Sequence, residues 1–391
     1  MLVVGGGISG MSFAARAAAA GRSVQVIEAQ PRLGGCLHSE RLESGYWFEM
    51  GAHTCYNSYG GLLRIVEEVG LAGEILARHK VPFRLLRDGE LLSIPGALSF
   101  WELFVNSPRM FTANKAEQTV AEYYSRLVGK GNYRDVLGPM LSAVPSQDAD
   151  GFPATMLFKK RPRRKDIVRS FTMTGGLQSI PDAVAALDNV EVSTGDAVQN
   201  VERIDGGFAV VTEAGERHEA PALALATPPD VAARLVDGIL PELAASLGRI
   251  GMARVETVGV VAPSAAVPVE PVAGIIPTED LFRSVVTRDT VPDPEHRGFA
   301  FHFRPDQPED QRLQRISEVL SIPRGDLDVV AHKDMTLPSP AMGHEQIVAE
   351  LDERLAGTGI YLTGNYFDGL AIEECVARSE AEFARFEQAS G

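Results

Sequence analysis

Apolar and polar positions alternate along this chain with two different periods, and the change of period separates strands from helices. Leu2-Val3-Val4 and Val24-Gln25-Val26-Ile27 are short apolar runs that predict strands, and the alanine-rich stretch from Gly10 to Ala20 between them predicts a helix able to lie close on a sheet. Leu62, Ile65, Val66 and Val69 recur at helical spacing, and Gly70 is a stop for that helix. Residues 83–87 and 90–94 form a hairpin pattern turning at Asp88-Gly89, and Thr119 to Val128 reads as a helix. Further on, Gly175-Gly176-Leu177 opens a helix that runs through Ala186. Strands follow at 190–192, at 197–204 paired with 207–212 across Asp205-Gly206, and at 222–226, closed by Thr227-Pro228-Pro229. The last elements are a strand at 360–364 and a helix from Glu373 to Phe386.

The first strand, helix and second strand enclose a motif. Gly5-Gly6-Gly7-Ile8-Ser9-Gly10 is a G-x-G-x-x-G turn, and Glu28 ends the second strand about where such a unit carries its acid. Gly5 allows the tight turn, Gly7 lets backbone approach a pyrophosphate, and Gly10 lets the helix pack on the strand. The helix start offers free N–H groups to phosphate, and Glu28 can accept hydrogen bonds from ribose hydroxyls. A dinucleotide is therefore expected. Arg32-Leu33-Gly34-Gly35 favours FAD over NAD, because a second glycine turn lets the chain run beside a long extended cofactor. There is no second G-x-G-x-x-G after a strand, which argues against a separate nicotinamide-binding domain.

Composition adds bounds. The chain has 391 residues with 45% hydrophobic and 23% charged positions, an ordinary globular profile. Its net charge of −15 argues against nucleic acid and against general attraction to anionic lipid. Cys36, Cys55 and Cys375 are scattered and form no C-x-x-C pair, so reduced thiols, a cytoplasmic setting and no metal site are expected. A strand beginning at residue 2 leaves no room for a signal peptide, and no apolar run is long enough to span a bilayer.

Three blocks together carry a family likeness. They are residues 3–10 with Glu28-Ala29 and Arg32-Leu33-Gly34-Gly35; residues 171–185 with Asp196-Ala197-Val198 and Ala226-Thr227-Pro228; and residues 362–376, from Leu362-Thr363-Gly364-Asn365 through Gly369-Leu370-Ala371-Ile372 to Cys375-Val376. The chain resembles the flavin-dependent amine oxidase superfamily, and within it the protoporphyrinogen oxidase-like branch. The resemblance implies an α/β fold: a Rossmann-like FAD-binding domain in three discontinuous segments (1–75, 166–229 and 343–391) plus an α+β substrate domain from two insertions (76–165 and 230–342). It implies that Ile8, Ser9 and Gly10 line the pyrophosphate and that Glu28 and Ala29 hold the ribose. Gly51, Ala52 and His53 would lie along the ribityl chain and flavin ring. Val198 would meet the adenine, Gly364 and Asn365 the pyrophosphate or ribityl, and Leu370, Ala371 and Ile372 the flavin pyrimidine edge. The implied reaction passes hydride from a substrate C–H to flavin N5, with oxygen or another acceptor reoxidising the flavin. Cys36 stands where the superfamily often has a second arginine. Gly51-Ala52-His53-Thr54 also resembles UDP-galactopyranose mutases, which are flavin-dependent isomerases; a flavin-binding protein without catalysis is the third reading.

Some residues carry two readings. His53 either holds a substrate or proton beside the flavin, or is a loop histidine bonded to backbone. The run Lys159-Lys160-Arg161-Pro162-Arg163-Arg164-Lys165 either binds an anion (substrate carboxylates, a lipid headgroup or a redox partner) or is a solvated loop. Tyr56, Tyr59, Trp101, Tyr123 and Tyr124 either wall a small-molecule pocket or sit in the core. Cys375 reads as a small buried residue of the last helix. Oligomeric state is not legible.

Overall fold

The computed structural model describes residues 1–390, and a five-stranded parallel sheet lies at its centre. In spatial order the strands are Val190–Thr194, Val24–Glu28, Leu2–Val4, Leu223–Leu225 and Ile360–Leu362. Val3 lies opposite Val26 on one side and Ala224 on the other, so strands from distant parts of the chain sit in register in one sheet. Helices cover both faces, which is why Leu2–Val4, Leu223–Leu225 and Ile360–Leu362 are apolar throughout and buried. One face packs Val3, Val26 and Ala224 against helices Ile8–Ala19 and Ile372–Ser390, with Phe13 edge-on to Phe383 at 5.7 Å. The other packs Leu2, Val4, Leu223 and Leu225 against helices Pro229–Val236, Pro241–Leu247 and His344–Leu355. The two helices after Pro228 thus share the parallel sheet's core, and the strands of the second insertion begin at Met252.

Those strands build a second, seven-stranded sheet. Its order is Asp328–Pro338, Met252–Pro263, His296–Phe303, Phe282–Thr287, Gly274–Pro277, Phe83–Arg87 and Glu90–Ser93. The 83–93 hairpin from the first insertion therefore joins strands from the second, through parallel pairing of Ile275 with Arg84. Helix Glu309–Leu320 covers one face, where Ile316 and Leu320 meet Phe299, Phe301 and Phe303. The opposite face receives Tyr46, Phe48 and Met50. It can do so because two of its positions are glycine. A Cβ on Gly259 would lie 2.5 Å from Met50 Sδ, and one on Gly298 would lie 2.8 Å from Phe48 Cγ. This close approach seats the second sheet directly beside the turn at Gly51.

Helix Val120–Val128 is the best specified of the remaining elements. Thr119 accepts from Glu122 N and Glu122 accepts from Thr119 N, a closed capping box. The glycine-turn helix begins at Ile8 rather than Gly10, with Gly7 as its cap, and the last helix begins at Ile372.

Candidate active site

The glycine turn leaves a cradle. A Cβ on Gly10 would fall inside the Gly5 carbonyl, so Gly10 is small for packing. A Cβ on Gly7 would meet only Gly35 Cα, at 3.9 Å, so Gly7 is small for space. That space is walled by the second glycine turn. Gly34 N donates to Gly6 O at 2.8 Å, and Gly34 holds φ +101°, a conformation that excludes a side chain. The backbone N–H groups of residues 8–10 open a twelve-residue helix at its positive end, beside the bridge that joins Gly7 to Gly34. Glu28 accepts from Gly6 N at 2.6 Å and from Gln30 N at 2.8 Å, which fixes its carboxylate beside the cradle with Ala29 exposed next to it. Arg32 donates to the carbonyls of Leu33 and Gly35 at 2.9 Å and so shapes its own loop. Val198 is buried near the strand that ends in Glu28, and Asp196 N donates to the Glu28 carbonyl at 3.3 Å. An anionic, extended dinucleotide fits this cradle.

The C-terminal block reaches the same turn. Ser379 Oγ donates to Ser9 O at 2.8 Å and pairs with Thr363 Oγ1 at 2.7 Å. Gly364 is buried next to Thr363, and the side-chain amide of Asn365 has no partner among the described residues. Leu370 and Ala371 are half-buried at the start of the last helix, and Ile372 joins the core of Ile8 and Met11. The helix's first acids do more than suit its dipole. Glu373 accepts from Gly61 N at 2.8 Å and Leu62 N at 3.1 Å, capping the separate helix Gly60–Glu68. Glu374 pairs with Arg161. Cys375 is buried in this helix.

Part of the positive charge of residues 159–165 is therefore taken up in ion pairs. Arg164 pairs with Glu67 as well as Asp166, and Lys159 lies 3.6 Å from Asp368. Lys160, Arg163 and Lys165 alone are left exposed without an ion pair among the described residues.

Between the Gly51 turn and the second sheet lies a cluster that no sequence motif marks. Lys333 Nζ, from strand Asp328–Pro338, donates to Gly35 O at 3.0 Å. His302 Nδ1 lies 2.9 Å from Thr257 Oγ1 on the neighbouring strands. His53 Nδ1 lies 3.2 Å from Gly51 O, and the ring sits among the titratable groups of the cluster. Ala52 N donates to Cys36 O at 3.1 Å, which holds the turn against the second glycine pair. Arg78 binds Thr54 and Thr290 from the opposite side.

Burial sets the charges here. It draws His53 down to about 4 and His302 to about 3, so both are neutral at pH 7. It draws Lys333 down to about 8, which makes that amine a titratable base in the physiological range. Burial also pushes Glu49 up to about 7, against the hydrogen bonds it accepts from Leu177 N and Ser39 Oγ. The sign follows from linkage. Glu49 titrates higher folded than unfolded (about 4.3 in an open chain), so its stabilising contribution is full below about pH 4 and is lost as pH rises through 7. Glu49→Gln should keep an acceptor for Leu177 N and abolish that slope. Thermal melts at pH 5.5 and 8 would show wild type losing about 2 kcal/mol relative to the variant, and parallel pH dependences would refute it.

The aromatic candidates divide. Tyr59 is buried under Arg161, Tyr123 and Tyr124 stack edge-on beneath Lys115, Tyr56 is partly exposed, and Trp101 is 73% exposed and walls nothing.

A parallel nucleotide-type sheet, a paired glycine cradle and a second sheet carrying a poised lysine define a FAD-dependent oxidoreductase. The family described as flavin containing amine oxidoreductase matches residues 8–379, and the chain belongs to it. Coproporphyrinogen III oxidase of Mycobacterium tuberculosis is 24% identical over 96% of this chain and 94% of its own length. Zeta-carotene desaturase of Capsicum annuum is 26% identical, but that match spans 32% of this chain and only 22% of the relative. Among solved structures, a protein from Exiguobacterium sp. 255-15 provisionally named a protoporphyrinogen oxidase superposes with TM-score 0.78 at 19% identity, covering 99% and 98% of the two chains. Reduced UDP-galactopyranose mutase superposes with TM-score 0.76 at 14% identity, covering 99% and 95%. These structural likenesses establish the fold. No helix among the described residues is long and apolar enough to cross a membrane.

Proposed function

We propose that the chain oxidises an anionic substrate of the porphyrinogen class. The observation that carries this is the sign of the charge in the cluster. The charged groups acting on His53 and His302 are Arg78 and Lys333, and the buried carboxylate, Glu49, is driven toward its neutral form. Such a site disfavours an ammonium and favours carboxylates. A cavity of about 250 Å³ beside strand Phe282–Thr287 supports the same reading. Tyr133 and Phe282 line it with Arg283 and Arg304, and Arg283 is half-buried with no hydrogen bond or ion pair among the described residues. Asp148 and Asp150 also line it, but Asp150 is engaged by Tyr133 at 2.5 Å.

FAD, when bound, supplies the hydride acceptor. We assign Gly5, Gly7, Ile8, Ser9 and Gly10 to its pyrophosphate, Glu28 and Ala29 to its ribose, and Val198 to its adenine. Arg32, Gly34 and Gly35 shape the opposing wall. Gly51, Ala52, His53, Gly364, Asn365, Leu370, Ala371 and Ile372 line the ribityl and flavin. Loss of hydride from a porphyrinogen bridge carbon leaves a cation that must shed an N–H proton, and the Lys333 amine is the base that accepts it. The neutral histidines keep the site free of further positive charge.

Anaerobic mixing with a porphyrinogen tests the reading. Flavin bleaching with growth of porphyrin fluorescence is expected. Bleaching by a primary amine and not by the porphyrinogen would transfer the assignment to amine oxidation. Interconversion of UDP-galactose forms without net oxidation would transfer it to the mutases.

A further inference from the structure

A mostly buried ion pair crosses from the first insertion to the start of the last helix. Glu374 stands in the first turn of helix Ile372–Ser390, and its side chain is 7% exposed. It folds back on the turn before that helix. A Cβ on Gly369 would lie 3.3 Å from Glu374 Cγ and 3.7 Å from its Cδ. The carboxylate is thus packed against the turn that leads into Leu370 and Ala371. Its partner is Arg161, whose side chain is 21% exposed and whose guanidinium carbon lies 5.7 Å from the centre of the Tyr59 ring.

Arg161 is held in this place by its neighbours. Residues 155–161 are stitched along the C-terminal block. Thr155 Oγ1 donates to Glu345 Oε1 at 2.8 Å, and Lys159 Nζ lies 3.6 Å from Asp368. Leu370 packs against the cluster that contains Leu157. The acid beside Glu374 has its own partners. Burial pushes Glu373 up, and the N–H groups of Gly61 and Leu62 act against that, with Arg161 adding to them. One cation therefore faces two carboxylates at the start of the last helix.

Charge at this point acts on the cofactor. The helix start offers a partial positive charge where electrons delivered to a flavin leave negative charge on its pyrimidine edge. A bare carboxylate buried in the first turn of that helix would oppose the same negative charge. Pairing it with a guanidinium removes the opposition, and breaking a buried pair leaves the full charge of the remaining partner.

We infer that Arg161, acting through Glu374, sets how readily the bound FAD accepts electrons. Its role is to set charge beside the flavin, and it takes no part in proton transfer. The inference rests on the assignment of Leu370, Ala371 and Ile372 to the flavin pyrimidine edge.

The reduction potential of the FAD-loaded protein, equilibrated with a reference dye at pH 8, tests it. Arg161→Met leaves the Glu374 charge bare. Binding of reduced relative to oxidised FAD should weaken at least about tenfold, a potential roughly 30 mV lower for a two-electron couple. Glu374→Gln leaves the Arg161 cation bare, and the potential should rise by a similar amount. Arg161→Lys keeps the charge and should stay near wild type, as should Arg161→Met with Glu374→Gln. Opposite shifts from the two single variants are not what a loosened fold would give. Wild-type potentials in both, or shifts of the same sign, overturn the inference. Leu370→Pro tests the placement beneath it by removing an N–H at the pyrimidine edge, and FAD retention should fall. A Leu370→Pro protein with wild-type retention and potential would remove the placement and the inference together. Lost retention there, with wild-type potentials in the Arg161 and Glu374 variants, would keep the placement and overturn the inference alone.

Discussion

Gly7→Val is expected to give a folded protein that no longer retains FAD. A Cβ there meets only Gly35 Cα, at the edge of van der Waals contact, so the backbone has room for a side chain, and the methyls of a valine would occupy the cradle the pyrophosphate needs. FAD affinity should fall at least tenfold, about 1.4 kcal/mol, with a melting curve for the apoprotein close to wild type. Gly10→Val is the contrasting case. Its Cβ lands on the Gly5 carbonyl, and backbone cannot move aside as a flexible side chain can, so a loss on the order of 3 kcal/mol or more of stability is expected. Flavin absorbance and thermal melts of the pair decide the matter. Equal flavin content in wild type and Gly7→Val would remove the cofactor assignment from this turn.

Lys333→Met should leave flavin content intact and slow substrate-driven flavin bleaching by roughly 10²-fold or more, the usual worth of a positioned base. The pH profile carries the sharper test. Lys333 must be deprotonated to accept a proton, so the wild-type rate should rise through about pH 8 and level above it. The variant should lose that limb. Lys333→Arg, charged throughout the range, should behave like the methionine variant and not like wild type. A rate that keeps its alkaline limb in both variants would show that the base lies elsewhere.

The two halves of the site differ in how far the chain declares them. The glycine cradle is local: Gly5 to Gly10, Glu28 and Gly34-Gly35 lie within a few dozen residues, and each has a steric reason that spacing alone exposes. The capping box at Thr119 and the hairpin at Asp88-Gly89 are local in the same sense. Lys333, His302 and Arg78 are not. They come from three distant segments, and Lys333 sits on an edge strand whose alternating Asp-Val-Val-Ala-His-Lys-Asp pattern reads as a solvated face until the glycine turns close over it. Sequence distance also hid the acids that neutralise Arg161 and Arg164, since Glu374 and Glu67 lie far along the chain in opposite directions. The helix at Phe100 misleads for another reason. Its aromatic content suggests a pocket wall, while the inward pull of Glu102 onto Gly131 and Asn132 turns those rings outward.

The last helix joins three separate parts of the site. Through Ser379 it reaches the Ser9 carbonyl, through Glu373 it completes the start of Gly60–Glu68, and through Glu374 it holds Arg161. It also follows directly on the edge strand Ile360–Leu362 of the parallel sheet. The glycine turn is made more than 350 residues before this helix, so it stays open on one side until the helix docks. A chain lacking residues 372–390 would have its dinucleotide turn made and nothing to lock it.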